Sequence, residues 1–223
     1  MLLRGVAIVL ILALTQCVLA GMAVAQPATD ANLSVNARFL VAARNADAAG
    51  LERALAAGAS VNARNRLGES ALVILLKNGK LDLAQKVLAA GADVNLAAIN
   101  GITPLMTAAF NGQTAMAAQL LDNGADVAAL DRLQKNAMTY AAGAGHTDIV
   151  LLLLAKGVDP NAVYANDLTA LMWAAGFGRT ATVKALLAAG AKPGLKDNRG
   201  KTAADIARAE HFDETVAVLD TAR

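Results

Sequence analysis

The chain has 223 residues, with 20 Lys and Arg against 18 Asp and Glu, and its net charge of +2 gives no global argument for nucleic-acid binding. Cys17 is its single cysteine, which excludes a disulfide framework and leaves almost nothing from which to build a zinc site. A domain of this length hides around 70% of its unfolded surface and needs no disulfide to be stable.

The first element is a leader. Arg4 precedes an apolar run from Gly5 to about Met22, and Ala23-Val24-Ala25 is followed by Gln26-Pro27. A charge, an apolar core and an A-x-A site together describe a secretory signal peptide at residues 1–25. An uncleaved membrane anchor is the alternative, because the run approaches the roughly 20 residues that span a bilayer. Either way Arg4 stays inside and the rest crosses the membrane. Gln16, where a small residue should precede an acylated cysteine, argues against a lipoprotein. The 56% apolar content includes this leader and is not a membrane-protein signature. Residues 26–31 form a short polar linker, and everything from 32 to 223 reads as one domain.

That domain repeats itself. Gly58, Gly91, Gly124, Gly157 and Gly190 recur every 33 residues, as do Ser70, Thr103, Asn136, Thr169 and Thr202. A third column holds Gly79, Gly112, Gly145 and Gly178, with His211 where a fifth glycine would fall. A fixed period between 20 and 50 residues signals a stacked-repeat protein, whose usual product is a recognition surface.

In the stretch 98–130, Thr103 is a good helix N-cap and Pro104 suits the first helical position. Leu105, Ala108 and Ala109 then make a short apolar stripe at helical spacing. Asn111-Gly112 breaks the helix, Thr114 is positioned to cap a second one along Met116, Ala117, Leu120 and Leu121, and Gly124 ends it. Each unit is therefore a turn followed by two antiparallel helices of roughly nine residues. Helices so short are marginal alone and need their neighbours in the stack.

The runs G-I-T-P-L-M-T-A-A-F-N-G and L-L-D-N-G-A-D-V, with D-L-T-A-L-M-W-A-A-G-F-G at 167–178, resemble the ankyrin repeat over roughly residues 32–223. The resemblance implies an all-α repeat solenoid of about six helix-turn-helix units, beginning near 32, 65, 98, 131, 164 and 197. The family's histidine after T-P-L is replaced by Val73, Met106, Thr139, Met172 and Asp205, changes that weaken local hydrogen bonding. The first unit lacks its cap residue (Ala37) and its inter-helix glycine (Ala46), and the last ends without another G-A-D-V-N, as end-capping units do.

Catalysis finds little support. His146 and His211 read as supports for the turns between helices, and neither an H-x-x-x-H pair nor a G-x-S-x-G elbow is present. Gly194 to Thr202 imitates a phosphate-binding loop, but five residues rather than four separate its glycines and Thr202 already serves as a helix cap. No enzyme and no cofactor are expected.

Proteins resembling ankyrin bind with their turn tips and the inner surface of each first helix. Carried onto this chain, that implies a protein-binding set of Arg44, Arg64, Arg66, Leu67, Lys77, Ile99, Asn100, Ile102, Phe110, Asn111, Arg132, Leu133, Lys135, Asn166 and Phe177. All positions of this kind together hold nine basic residues and two acidic ones, and the third unit interrupts the charge with Ile99, Ile102, Phe110 and Leu130. Tyr140 and Trp173 fall where the inter-repeat core is expected. The implied function is a monomeric exported adaptor, periplasmic in a bacterial envelope or anchored facing it, gripping an acidic or amphipathic protein. An immunity- or inhibitor-type partner of a toxin or exported enzyme is the second reading. A hydrolase or cell-wall ligand binder is the third, and the missing nucleophile–histidine constellation speaks against it.

Overall fold

Polar caps and left-handed residues divide the chain into short helices. In a computed structural model, which describes residues 33–222, twelve α-helices and no strand occur among the described residues. They come in pairs: α1 (Val35–Asn45) with α2 (Ala48–Ala56), α3 (Ala71–Lys77) with α4 (Leu81–Ala89), α5 (Pro104–Phe110) with α6 (Thr114–Asp122). The series continues with α7 (Ala137–Ala144) and α8 (Thr147–Ala155), α9 (Ala170–Gly176) and α10 (Thr180–Ala188), α11 (Ala203–Ala209) and α12 (Asp213–Thr221). The leader and linker expected at 1–31 lie outside the described residues.

Each first helix from α3 onward starts on the predicted cap. Ser70, Thr103, Asn136, Thr169 and Thr202 accept a hydrogen bond from the backbone N–H three residues on. A cap of this kind is worth about 1 kcal/mol. The first unit departs from the expectation that it has no cap. Its helix starts early, at Val35, because the Ser34 hydroxyl accepts from the Ala37 N–H at 3.2 Å. Cap chemistry there overrides the repeat register and lengthens α1 to 11 residues.

Among the second helices of the described residues α2 alone has a side-chain cap, Asp47 accepting from the Gly50 N–H at 2.9 Å. Thr114 is the first residue of α6 rather than its cap, and the cap position belongs to Gln113, which makes no side-chain cap bond. The Gln113 amide instead donates to the Leu76 carbonyl of the preceding unit at 2.7 Å. His146 Nε2 meets the Phe110 carbonyl at 2.9 Å and Arg179 Nε donates to the Gly143 carbonyl at 3.1 Å in the same manner. At these three joints a side chain entering the second helix binds a carbonyl near the end of the preceding unit's first helix.

Packing follows this order. First helices contact one another in series, α1–α3–α5–α7–α9–α11, and second helices do so from α6 through α8 and α10 to α12. One continuous apolar core runs along the stack through Phe39, Leu75, Leu105, Met138, Leu171 and Ile206. Alanines at 71, 108, 109, 141, 142, 174, 175 and 207 are buried between first helices, where small side chains let the helices close up. Where the family's histidine is missing, Val73, Met106 and Met172 are buried apolar fillers. Thr139 and Asp205 do more than fill: each accepts the cap residue's own N–H and completes a capping box, so local hydrogen bonding is restored at both.

Candidate interaction surface

The turns between pairs form tips closed by their own first residue. Oδ1 of Asn65, Asp131 and Asp197 accepts two backbone N–H groups within its tip, from Leu67 and Glu69, Leu133 and Lys135, and Arg199 and Lys201. These Asx-type bonds fold the tip, and the intervening Leu67 and Leu133 side chains stay exposed. Neighbouring tips are joined by single backbone rungs, Ile99 to Leu67 at 2.9 Å, Arg132 to Asn100 at 3.0 Å and Asn198 to Asn166 at 3.1 Å.

This frame displays apolar side chains in the middle of the array. Leu67 is 63% exposed, Leu133 61%, Val163 59% and Ile99 51%. Leu130 and Phe110 are also exposed. Arg44, Arg66, Asn100, Asn111, Arg132 and Asn166 surround them on exposed positions, as the column assignment implies. Ile102 and Phe177 are only half-buried.

Two cations of the expected set are already engaged. Arg64 turns back, its Nε donating to the Gly68 carbonyl at 2.9 Å and Nη2 to the Ala97 carbonyl at 2.6 Å, and so braces two tips. Lys77 pairs with Glu69 at 2.5 Å. Burial raises the Glu69 pKa, but the hydrogen bonds from Lys77 and Asn65 overcome it and hold the carboxyl below its ordinary range.

Lys135 corrects the sequence expectation. Its column position reads as exposed, yet the residue is buried, with Nζ 5.5 Å from the Tyr140 ring centroid and 5.2 Å from that of Trp173. The rings accept the cation on their faces, which compensates part of its lost hydration. Burial pulls its pKa below the usual lysine value, and the charge of Asp131 opposes that only in part. Phe110 extends the row by meeting Tyr140 edge-on at 6.1 Å, and Phe177 lies nearly parallel to Trp173 at 6.2 Å. Three successive units thus share one aromatic ladder with a cation in its middle. The signal for it was compositional: aromatics are 3% of the chain, yet four of them fall on first helices or their ends in consecutive units.

The other sequence candidates take structural places. His146 braces the turn of the preceding unit, and His211 stands in the left-handed conformation (φ 62°) that glycine takes in the second to fifth units. Thr202 both accepts from the Asp205 N–H and donates to Asp205 Oδ2, so the phosphate-loop imitation is a tip ending in a capped helix. Among the described residues, no group of three or more His, Cys, Asp or Glu could hold a metal ion, and no helix is long and apolar enough to cross a membrane.

A family model described as ankyrin repeats (3 copies) matches residues 39–131, 77–164 and 138–220. A search of curated proteins finds no match.

Proposed function

Because the chain belongs to the ankyrin-repeat family, whose repeats indicate a protein–protein interaction module, we propose that it is an exported adaptor that grips an acidic or amphipathic protein. The binding surface is the row of tips and first-helix ends from the second to the fourth unit. One observation carries the reading: of the eight exposed large hydrophobic side chains among the described residues, six, Leu67, Ile99, Phe110, Leu130, Leu133 and Val163, lie on that row. Exposed apolar side chains gathered on one face mark partner sites far more often than scattered ones do. Arg66 and Arg132 flank the row and add attraction for an acidic partner, which speeds encounter and selects among partners.

The rigid tips favour binding because little ordering entropy is lost when a partner arrives. Export rests on the leader's own features, Arg4, the apolar run and Ala23-Val24-Ala25, and places the module in the periplasm.

The test begins with affinity capture from the envelope fraction and identification of the partner by mass spectrometry. The purified partner is then titrated calorimetrically against the chain and its R66A/F110A/R132A variant. The variant binds at least about 10-fold more weakly, as loss of an aromatic anchor and two flanking charges implies. Its thermal midpoint stays within about 4 °C, a stability change near 1 kcal/mol. Equal affinity for the two proteins overturns the assignment.

A further inference from the structure

The aromatic ladder holds a cation with no acceptor. Among the described residues, no oxygen or nitrogen takes a hydrogen bond from Lys135 Nζ, although the residue is only 7% exposed. Asp131, whose charge it feels, is engaged elsewhere: Oδ1 accepts the Leu133 and Lys135 backbone N–H groups and Oδ2 accepts the Tyr140 hydroxyl. Nζ is not sealed either. The fully buried side-chain nitrogens and oxygens without a partner, among the described residues, are Gln113 Oε1 and Trp173 Nε1. The lysine stem is therefore covered while its tip still meets solvent.

Two rings replace part of the hydration of this ammonium but accept none of its N–H bonds directly. Trp173 Nε1 is a second donor without an acceptor at the same ladder. Both unmet needs are for acceptors, and a partly dehydrated cation attracts an anion more strongly than a solvated one does. The walls select the kind of anion. Exposed Phe110, against Tyr140, and half-buried Phe177, against Trp173, suit a carboxylate carried on a hydrocarbon stem better than a bare inorganic ion.

We infer that Lys135, between Tyr140 and Trp173, anchors a carboxylate-binding site that takes an Asp or Glu side chain of the protein partner. The partner class rests on the reading above; the site itself rests on the unmet donors. An incoming carboxylate accepts from Nζ, and its stem packs on the neighbouring rings. Lys135 then contributes specificity, since an amide in place of the carboxylate leaves the cation uncompensated.

Trp173 is the only tryptophan of the chain, so its emission reports on this site alone. The full chain is titrated with a hexaglutamate peptide, a hexaglutamine peptide and inorganic phosphate. Hexaglutamate produces a saturable change in emission, and the other two do not. K135Q weakens the response at least about 10-fold, whereas K184Q, which removes an exposed lysine on α10, keeps it within about 3-fold. If K135Q does not fold, the Lys135 Cε–Hε signal of the wild-type chain, followed by NMR, moves with hexaglutamate and stays still with hexaglutamine. Equal titration of K135Q, equal response to hexaglutamine, saturation by phosphate, or an unmoved Lys135 signal each overturns the proposal. Such failure leaves the tip surface standing, because the R66A/F110A/R132A titration with the captured partner does not involve Lys135.

Discussion

The buried Tyr140 hydroxyl donates to Asp131 Oδ2 at 2.6 Å, tying a tip to the middle of α7 nine residues further on. Because Oδ1 of the same carboxylate folds the tip, one aspartate links the displayed loop to the core. Burial, followed by the hydrogen bond to Asp131, pushes the Tyr140 pKa far up, so the hydroxyl stays protonated. Tyr140→Phe leaves a buried charged acceptor unmet, and hydrogen bonds to charged groups contribute about 1.5–3 kcal/mol. Urea unfolding of Y140F shows a loss in that range. Y164F, whose hydroxyl accepts from the neutral Asn136 amide at 3.1 Å, loses only about 1 kcal/mol. Equal losses would contradict the charged character assigned to the Tyr140 bond.

Gly112 and Gly124 differ in why they need glycine. At Gly112 φ is +70°, and a Cβ there would lie 2.5 Å from Cε1 of His146, which is held in place by its bond to the Phe110 carbonyl. At Gly124 φ is +84° but nothing stands within 4 Å of an added Cβ. Gly124→Ala therefore costs the left-handed backbone alone, about 1–2 kcal/mol, while Gly112→Ala adds the clash and loses clearly more. Denaturant midpoints of the two variants check this order.

The first unit offers a gain instead. Ala46 caps α1 with φ 54°, a conformation that strains a residue with a Cβ. Ala46→Gly relieves roughly 1–2 kcal/mol in the folded chain, offset by about 0.4–1 kcal/mol of added freedom in the unfolded one. Calorimetry detects a small rise in melting temperature; a fall would mean that the left-handed backbone at 46 is not strained.

Acid acts through three carboxyls. The Thr202 backbone N–H and then its hydroxyl hold Asp205 below the usual carboxylate range. Burial raises Asp197, but the Lys201 backbone N–H and the Arg199 side chain outweigh it, as Lys77 and Asn65 do for Glu69. A folded pKa lying below the unfolded one means that stability is fully present above the unfolded value and is lost as pH falls through the folded one. Urea midpoints stay level from neutrality down to about pH 5 and drop below about pH 4. D205N and D197N each give a shallower drop; a drop as steep as that of the parent would remove these groups from the account.

The sequence told most where a function belongs to one residue type at one position. The caps at Ser70, Thr103, Asn136, Thr169 and Thr202 needed only a short polar side chain before an apolar run, and the left-handed glycines only their spacing. Ser34 escapes the repeat register, which points to Ala37, three residues too late for a helix that starts on its nearest cap. Thr114 has the chemistry of a cap, and the bond from Gln113 to Leu76 that takes its place crosses to another unit and leaves no local trace. Lys135 was read as exposed because two rings bury it, one on α7 and one on α9. Nothing in its immediate sequence announces the second ring. Column position predicts the direction of a side chain, not what a neighbouring unit lays over it.

Hydroxyl-radical footprinting of the chain with and without its captured partner tests the central claim most directly, since it reads side-chain access residue by residue. Leu67, Ile99, Phe110 and Leu133 report on the tip row, and Leu151, exposed on α8, is the internal control. The account predicts that the partner protects the four tip-row residues and leaves Leu151 as reactive as before. Protection of Leu151 with the tip row unchanged would contradict it.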